Sequence, residues 1–247
     1  MESFSGKLLY TKNHGSKRPC LSNFSKDLFP DGGPKAESLV EITGSIDCCG
    51  KTQLLLEIIA KTILPTTSGG KCGSVILYNT DHQFNKCFFE RILRKFTSDE
   101  VIIGECWQRL QIVNIFIPEE LSYQLKALDE SVLINRQNVA LIALDSLGAL
   151  FYLEDDETMY HHYKKMIEQL KSITRHHQII IAYTLPSFYQ PKKDGSLTMS
   201  NYRFHITPMD IAPDSERKVN IHMTSCGVIY KLEASFSKEG LVIVKCK

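Results

Sequence analysis

Residues 43–52 read TGSIDCCGKT, from Thr43 to Thr52. They follow a short apolar run at residues 39–43 (LVEIT). They precede residues 51–64, where Leu54, Leu55, Ile58, Ile59 and Ala60 recur at helical spacing until Pro65 stops the pattern. A strand, a tight turn and a helix start in that order make an anion cradle, because unpaired N–H groups and the helix dipole both favour negative charge there. A lysine at the end of the turn adds a point charge for β- and γ-phosphates, and the hydroxyl after it is placed for Mg²⁺. The stretch therefore reads as a phosphate-binding loop made of Ser45, Ile46, Asp47, Cys48, Cys49, Gly50, Lys51 and Thr52. It departs from the full pattern in two ways. Ser45 stands where a glycine is expected five residues before Gly50, and Asp47, Cys48 and Cys49 fill an interior that is usually small.

Outward from the loop, strand and helix patterns alternate. Residues 75–78, 112–117, 139–145 and 178–183 read as strands, and residues 85–96, 118–135 and 158–175 as helices. Near-continuous Val, Ile and Leu in the strands imply a parallel sheet covered on both faces. The tail changes character: residues 219–223, 228–234 and 241–245 read as three short strands that extend the sheet on an antiparallel edge. The expected fold is α/β, a P-loop core with a mostly parallel central sheet flanked by helices. Residues 1–36, polar and broken by Asp31-Gly32-Gly33-Pro34, read as a flexible lead-in, and residues 37–247 as the core domain.

The apolar strand at residues 139–145 ends in Asp145. An acid at that place, two helices downstream of the loop, suits a partner of Thr52 in holding Mg²⁺. Asp81, after the second strand, is a candidate catalytic carboxylate, with a turn-capping role as the alternative. Residues 186–201 form a long loop carrying Lys192 and Lys193, candidates for contact with nucleic-acid phosphates, with plain solvated surface as the alternative.

Composition narrows the classes. The 247 residues are 43% hydrophobic and 23% charged, with a formal net charge of +1, so bulk charge selects no nucleic-acid or acidic partner. The longest apolar runs fall far short of the ~20 residues that span a bilayer, and the N-terminus reads without a signal peptide. The eight cysteines form no C-x-x-C pair, which favours free thiols in a cytosolic or nuclear setting. His161-His162 and His176-His177 read as solvated helix surface, since neighbouring side chains on a helix diverge.

With the loop and Asp145 in place, the chain resembles the RecA-like recombinases, and among them the eukaryotic recombinase paralogues. The resemblance runs over roughly residues 36–247. Its residues are LVEITG at 39–44, Gly50-Lys51-Thr52, Ile63-Leu64-Pro65, VILYNTDHQF at 75–84, LIALDSLGALFY at 141–152, residues 179–184 and residues 227–230. It implies a RecA-like core that binds ATP and Mg²⁺, and a nuclear role in homologous-recombination repair of DNA breaks. It also implies assembly with other recombinase paralogues, of which paralogue D is the usual partner of this branch, and contact with single-stranded or branched DNA. Active members carry a glutamate where this chain has Asp81 and a glutamine after the fifth strand, where this chain has Tyr183-Thr184-Leu185-Pro186. They also polymerise through a Phe-x-x-Ala segment, and neither Phe24-Ser25-Lys26-Asp27 nor Phe29-Pro30-Asp31-Gly32 fits that pattern.

Three readings follow. The first is an accessory subunit that binds ATP with little or no hydrolysis and assists the recombinase on single-stranded DNA. The second is an active DNA-dependent P-loop ATPase. The third is a scaffold that holds no nucleotide.

Overall fold

Val, Ile and Leu dominate the strands nearest the loop because those strands are buried on both sides. In the computed structural model, which describes residues 18–45, 50–133, 138–151, 155–186, 200–209, 217–237 and 240–246, strand β1 (Leu39–Gly44) leads into helix α1 (Gly50–Ile63). Then come β2 (Ser74–Asn79), α2 (Lys86–Arg94), α3 (Glu100–Gln108), β3 (Leu110–Asn114) and α4 (Pro118–Ala127). They are followed by β4 (Val139–Asp145), α5 (Asp156–His177) and β5 (Ile180–Pro186), and the described chain ends in β6 (Tyr202–Pro208), β7 (Arg217–Ser225), β8 (Val228–Ser237) and β9 (Gly240–Cys246). The nine strands form one sheet in the order β3-β2-β4-β5-β1-β6-β7-β8-β9. Pairing is parallel from β3 to β6 and antiparallel from β6 to β9. The expected α/β class, with a parallel centre and an antiparallel C-terminal edge, is the observed one.

Two cores sandwich the sheet. α1, α2 and α3 close one face with Leu55, Ile59, Phe89 and Cys106 against Val40, Ile42, Leu77 and Ala182. α4 and α5 close the other with Leu121, Leu125, Ile167 and Leu170 against Ile76, Ile142 and Ile181. The strands contribute alternate residues to each layer, as a two-sided sheet requires.

Four elements differ from the sequence reading. Residues 18–36 are not a loose lead-in: Leu21, Phe24, Leu28 and Phe29 are buried in the α1 core. The Phe29 ring meets Phe204 and Tyr202 edge-on at 5.2 and 5.5 Å, and the Tyr202 hydroxyl donates to the Gly33 carbonyl at 2.9 Å. The four apolar side chains, spaced too irregularly for a helix or strand, supply the burial that fixes this segment. Helix α3 was not expected; Asp99 caps it by accepting from the Val101 N–H at 2.8 Å. β3 starts two residues earlier than expected and stops before Phe116 and Ile117, which are exposed. β6 fills a stretch to which the sequence reading assigned no element, although Tyr202, Phe204 and Ile206 alternate as a half-buried strand should.

Candidate functional site

The C-terminal ends of β2, β4, β5 and β1 lie side by side, the place where open α/β sheets bind ligands. Each brings polar groups. Beyond β1, Ser45 offers its carbonyl to the Lys51 ammonium at 2.6 Å. Gly50 and Lys51 open α1, so their N–H groups belong to the unpaired first turn. Gly50 has no substitute here, because a Cβ would come within 2.2 Å of the Phe236 ring of β8. Ile46, Asp47, Cys48 and Cys49 lie outside the described residues.

At the end of β4, Asp145 is 5% exposed. Its carboxylate accepts from the Thr184 hydroxyl of β5 at 2.5 Å, and the Thr52 hydroxyl lies near enough to favour its charge. Burial pushes this carboxyl up to about 6; the Asp81 carboxylate adds to the rise, and the two hydroxyls and the Lys51 charge oppose it. The Asp145 carbonyl receives the N–H groups of Thr80 and Asp81 at 2.7 and 3.1 Å, which ties the end of β2 over the end of β4. The Ser146 hydroxyl beside it is 9% exposed as a residue and finds no hydrogen-bond partner among the described residues.

Lys51, Thr52, Asp81 and Asp145 are thus brought together. The Thr52 and Asp145 oxygens and the Lys51 ammonium are the donor set a nucleotide–Mg²⁺ pair takes: hard oxygens for the cation, a positive charge and helix N–H groups for the phosphates. Asp81 is otherwise engaged. One of its oxygens accepts the Gln83 N–H at 3.1 Å, which is the turn-capping role, and burial raises its carboxyl above the ordinary range. Leu185, at the place where a glutamine would reach the phosphates, is fully buried in the α5 core. Lys192 and Lys193 lie outside the described residues.

The structure also shows groups the sequence reading missed. Thr184 had a signal, a hydroxyl at the end of an apolar strand next to the one ending in Asp145. Glu41 had a weaker one, a lone acid inside LVEIT. It is 2% exposed and accepts from the hydroxyls of Tyr163 on α5 and Tyr183 on β5 at 2.9 and 2.7 Å and from the Arg203 guanidinium on β6 at 2.7 Å. Thr43, two residues on, shares a 2.9 Å hydrogen bond with the His205 imidazole of β6. The strand that delivers the loop is therefore tied by side chains to α5, β5 and β6.

Comparison with known proteins places this geometry. The family model described as Rad51 matches residues 21–223. The chain is similar to DNA repair protein XRCC2 of Mus musculus, 28% identical over 140 residues, which cover 56% of this chain and 50% of that protein. It is also similar to DNA repair protein RAD51 homolog 2 of Mus musculus, 28% identical over 130 residues, which cover 51% of this chain and 36% of that protein. The chain spans half or less of the length of these curated relatives.

Proposed function

Since the chain belongs to the Rad51 family, we propose that it serves in homologous-recombination DNA repair as an accessory subunit that holds ATP and Mg²⁺ but hydrolyses ATP slowly or not at all. The names of the relatives, both DNA repair proteins, support the process. The observation that carries the division between binding and hydrolysis is the use made of each polar group. Lys51, Thr52 and Asp145 converge, while Asp81 caps a turn and Leu185 is buried in the core. When bound, Mg²⁺ supplies charge neutralisation for the phosphates. The chain's own part is to anchor them on the α1 N-terminus and Lys51 and to hold the cation's oxygen ligands in place. The reading includes assembly with other recombinase paralogues, paralogue D first, a nuclear location, and contact of Lys192 and Lys193 with single-stranded or branched DNA.

The test is equilibrium binding of a fluorescent ATP analogue with Mg²⁺, by the full chain alone and with paralogue D, beside a hydrolysis assay. The expected result is micromolar binding lost in Lys51→Ala, retention of paralogue D, and turnover far below the ~1 per second of ordinary enzymes. Rapid hydrolysis abolished by Lys51→Ala would make the protein an active ATPase. Absence of binding in either state would make it a scaffold, and failure to retain any recombinase paralogue would remove the accessory role.

A further inference from the structure

Helix α1 is held from outside the nucleotide site by the last two strands. The Phe236 ring of β8 fills the space that a Cβ on Gly50 would need, so it lies against the α1 backbone at its first residue. One turn on, the Gln53 amide donates to the Ser237 carbonyl at the end of β8 at 2.8 Å. A turn further, one oxygen of Glu57 accepts the Leu241 N–H of β9 at 2.9 Å and the Lys95 ammonium at 2.5 Å. The same ammonium donates to the Leu241 carbonyl at 2.8 Å. Gly50, Gln53 and Glu57 stand at i, i+3 and i+7, one stripe of the helix. Both polar members of the stripe are buried, and a Cβ on Gly240 would collide with the Glu57 carboxylate.

Three features separate this seam from ordinary core packing. It begins at the residue that opens the anion cradle, so whatever moves Phe236 moves the first turn of α1. Two of its rungs are hydrogen bonds, whose length and direction are narrow. They set where α1 stands along its own axis, which non-directional apolar packing does not. The outer strand of the seam is also weakly held. β9 ends the strand order, its ladder with β8 is broken by an irregularity between Glu233 and Ala234, and Val242 and Val244 are exposed. Strands of this kind open locally at a free energy well below that of the core.

We infer that β8 and β9 regulate nucleotide binding from behind the site: their docking on α1 fixes the first turn on which the phosphates are held, and bound nucleotide in turn holds β9 down. Phe236 and Gln53 are then positioning residues that act through the α1 backbone. The coupling is reciprocal, because two events that fix the same turn favour each other by the same factor. The inference rests on the proposed nucleotide binding and adds the regulation of that site.

The test joins equilibrium binding of a fluorescent ATP analogue with Mg²⁺ to amide hydrogen exchange, both on the full chain. Phe236→Leu keeps an apolar side chain but withdraws the ring from Gly50. It should bind the analogue at least about fivefold more weakly, the low end of coupling between linked sites. Ile167→Val, in the core on the far face of the sheet, should bind like wild type. In wild type the analogue should slow exchange of the Leu241 N–H and its β9 neighbours by a similar factor and leave β3, the opposite edge of the sheet, unchanged. That measurement needs no change in β8 and decides the matter if Phe236→Leu fails to fold; Lys51→Ala should show no slowing. Equal affinity in Phe236→Leu and wild type, an equal loss in Ile167→Val, or β9 exchange indifferent to nucleotide overturns the inference and leaves the nucleotide reading standing. A wild type that binds no analogue overturns both.

Discussion

Replacing Asp145 by asparagine should stabilise the protein in the absence of nucleotide and Mg²⁺. The carboxyl is lifted from 3.8 to about 6, with burial as the main cause and Asp81 as the second. At ~1.4 kcal/mol per pH unit, keeping it ionised at neutral pH costs the folded state about 3 kcal/mol. Asparagine keeps an acceptor for the Thr184 hydroxyl but adds an NH₂ group that must find a partner in a buried place, at about 1–2 kcal/mol. The net gain is about 1–2 kcal/mol, or about 2–8 °C in midpoint for a chain of this size. The gain must also depend on pH. Between about pH 4 and pH 6 the folded protein holds a proton on Asp145 that the unfolded chain has released, so this group's contribution to wild-type stability falls as pH rises through that window. The advantage of Asp145→Asn should be full at neutral pH and reversed near pH 4, where the charge cost has vanished and the cost of the NH₂ group remains. Thermal unfolding of both proteins in chelator, over that pH range, measures it. A variant less stable than wild type at neutral pH, or an advantage that does not shrink on acidification, would refute the reasoning.

Two further outcomes follow from packing. Phe29→Ala should cost about 3–5 kcal/mol, because the ring is 1% exposed and meets three aromatic rings, those of Phe24, Tyr202 and Phe204; a urea midpoint shifted by less than about 1 kcal/mol equivalent would mean residues 18–36 do not belong to the core. Glu41→Ala should cost about 3–5 kcal/mol, since it strands two buried tyrosine hydroxyls and a guanidinium, whereas Arg203→Met leaves the carboxylate its tyrosine donors and should cost less; equal midpoint shifts would show that the pair with Arg203 is the whole of the interaction.

What the sequence made legible is what local periodicity and turn chemistry encode. β4 was read to the residue because a six-residue apolar run ends abruptly in Asp145. The helix start at Gly50 was read because Gly-Lys-Thr between an apolar strand and a helical pattern has a local physical reason. The misses share another cause. Phe29 gains its place from β6, about 175 residues away along the chain, and nothing within the lead-in announces that partner. Glu41 is tolerated inside an apolar strand only because Tyr163, Tyr183 and Arg203 converge on it. Phe116 and Ile117 look like strand residues and are exposed, because Pro118 starts α4 directly after them. β6 was different: its alternation was present in the sequence, and the long loop before it drew the reading away.

The same distinction bears on the loop itself. A buried, ionised Asp145 is a net cost to the folded chain unless a cation takes up its charge. Thr184 and Thr52 together offset only part of that cost, since the carboxyl remains lifted to about 6. The arrangement therefore makes energetic sense with a bound cation. Asp81 shares that cost, since burial lifts its carboxyl too in spite of the Gln83 N–H, whereas Leu185 gains from burial without any ligand present. On the proposed reading a bound cation would take up the charge of both carboxyls, and its removal should loosen the ends of β2 and β4 that carry them before it slows any chemistry.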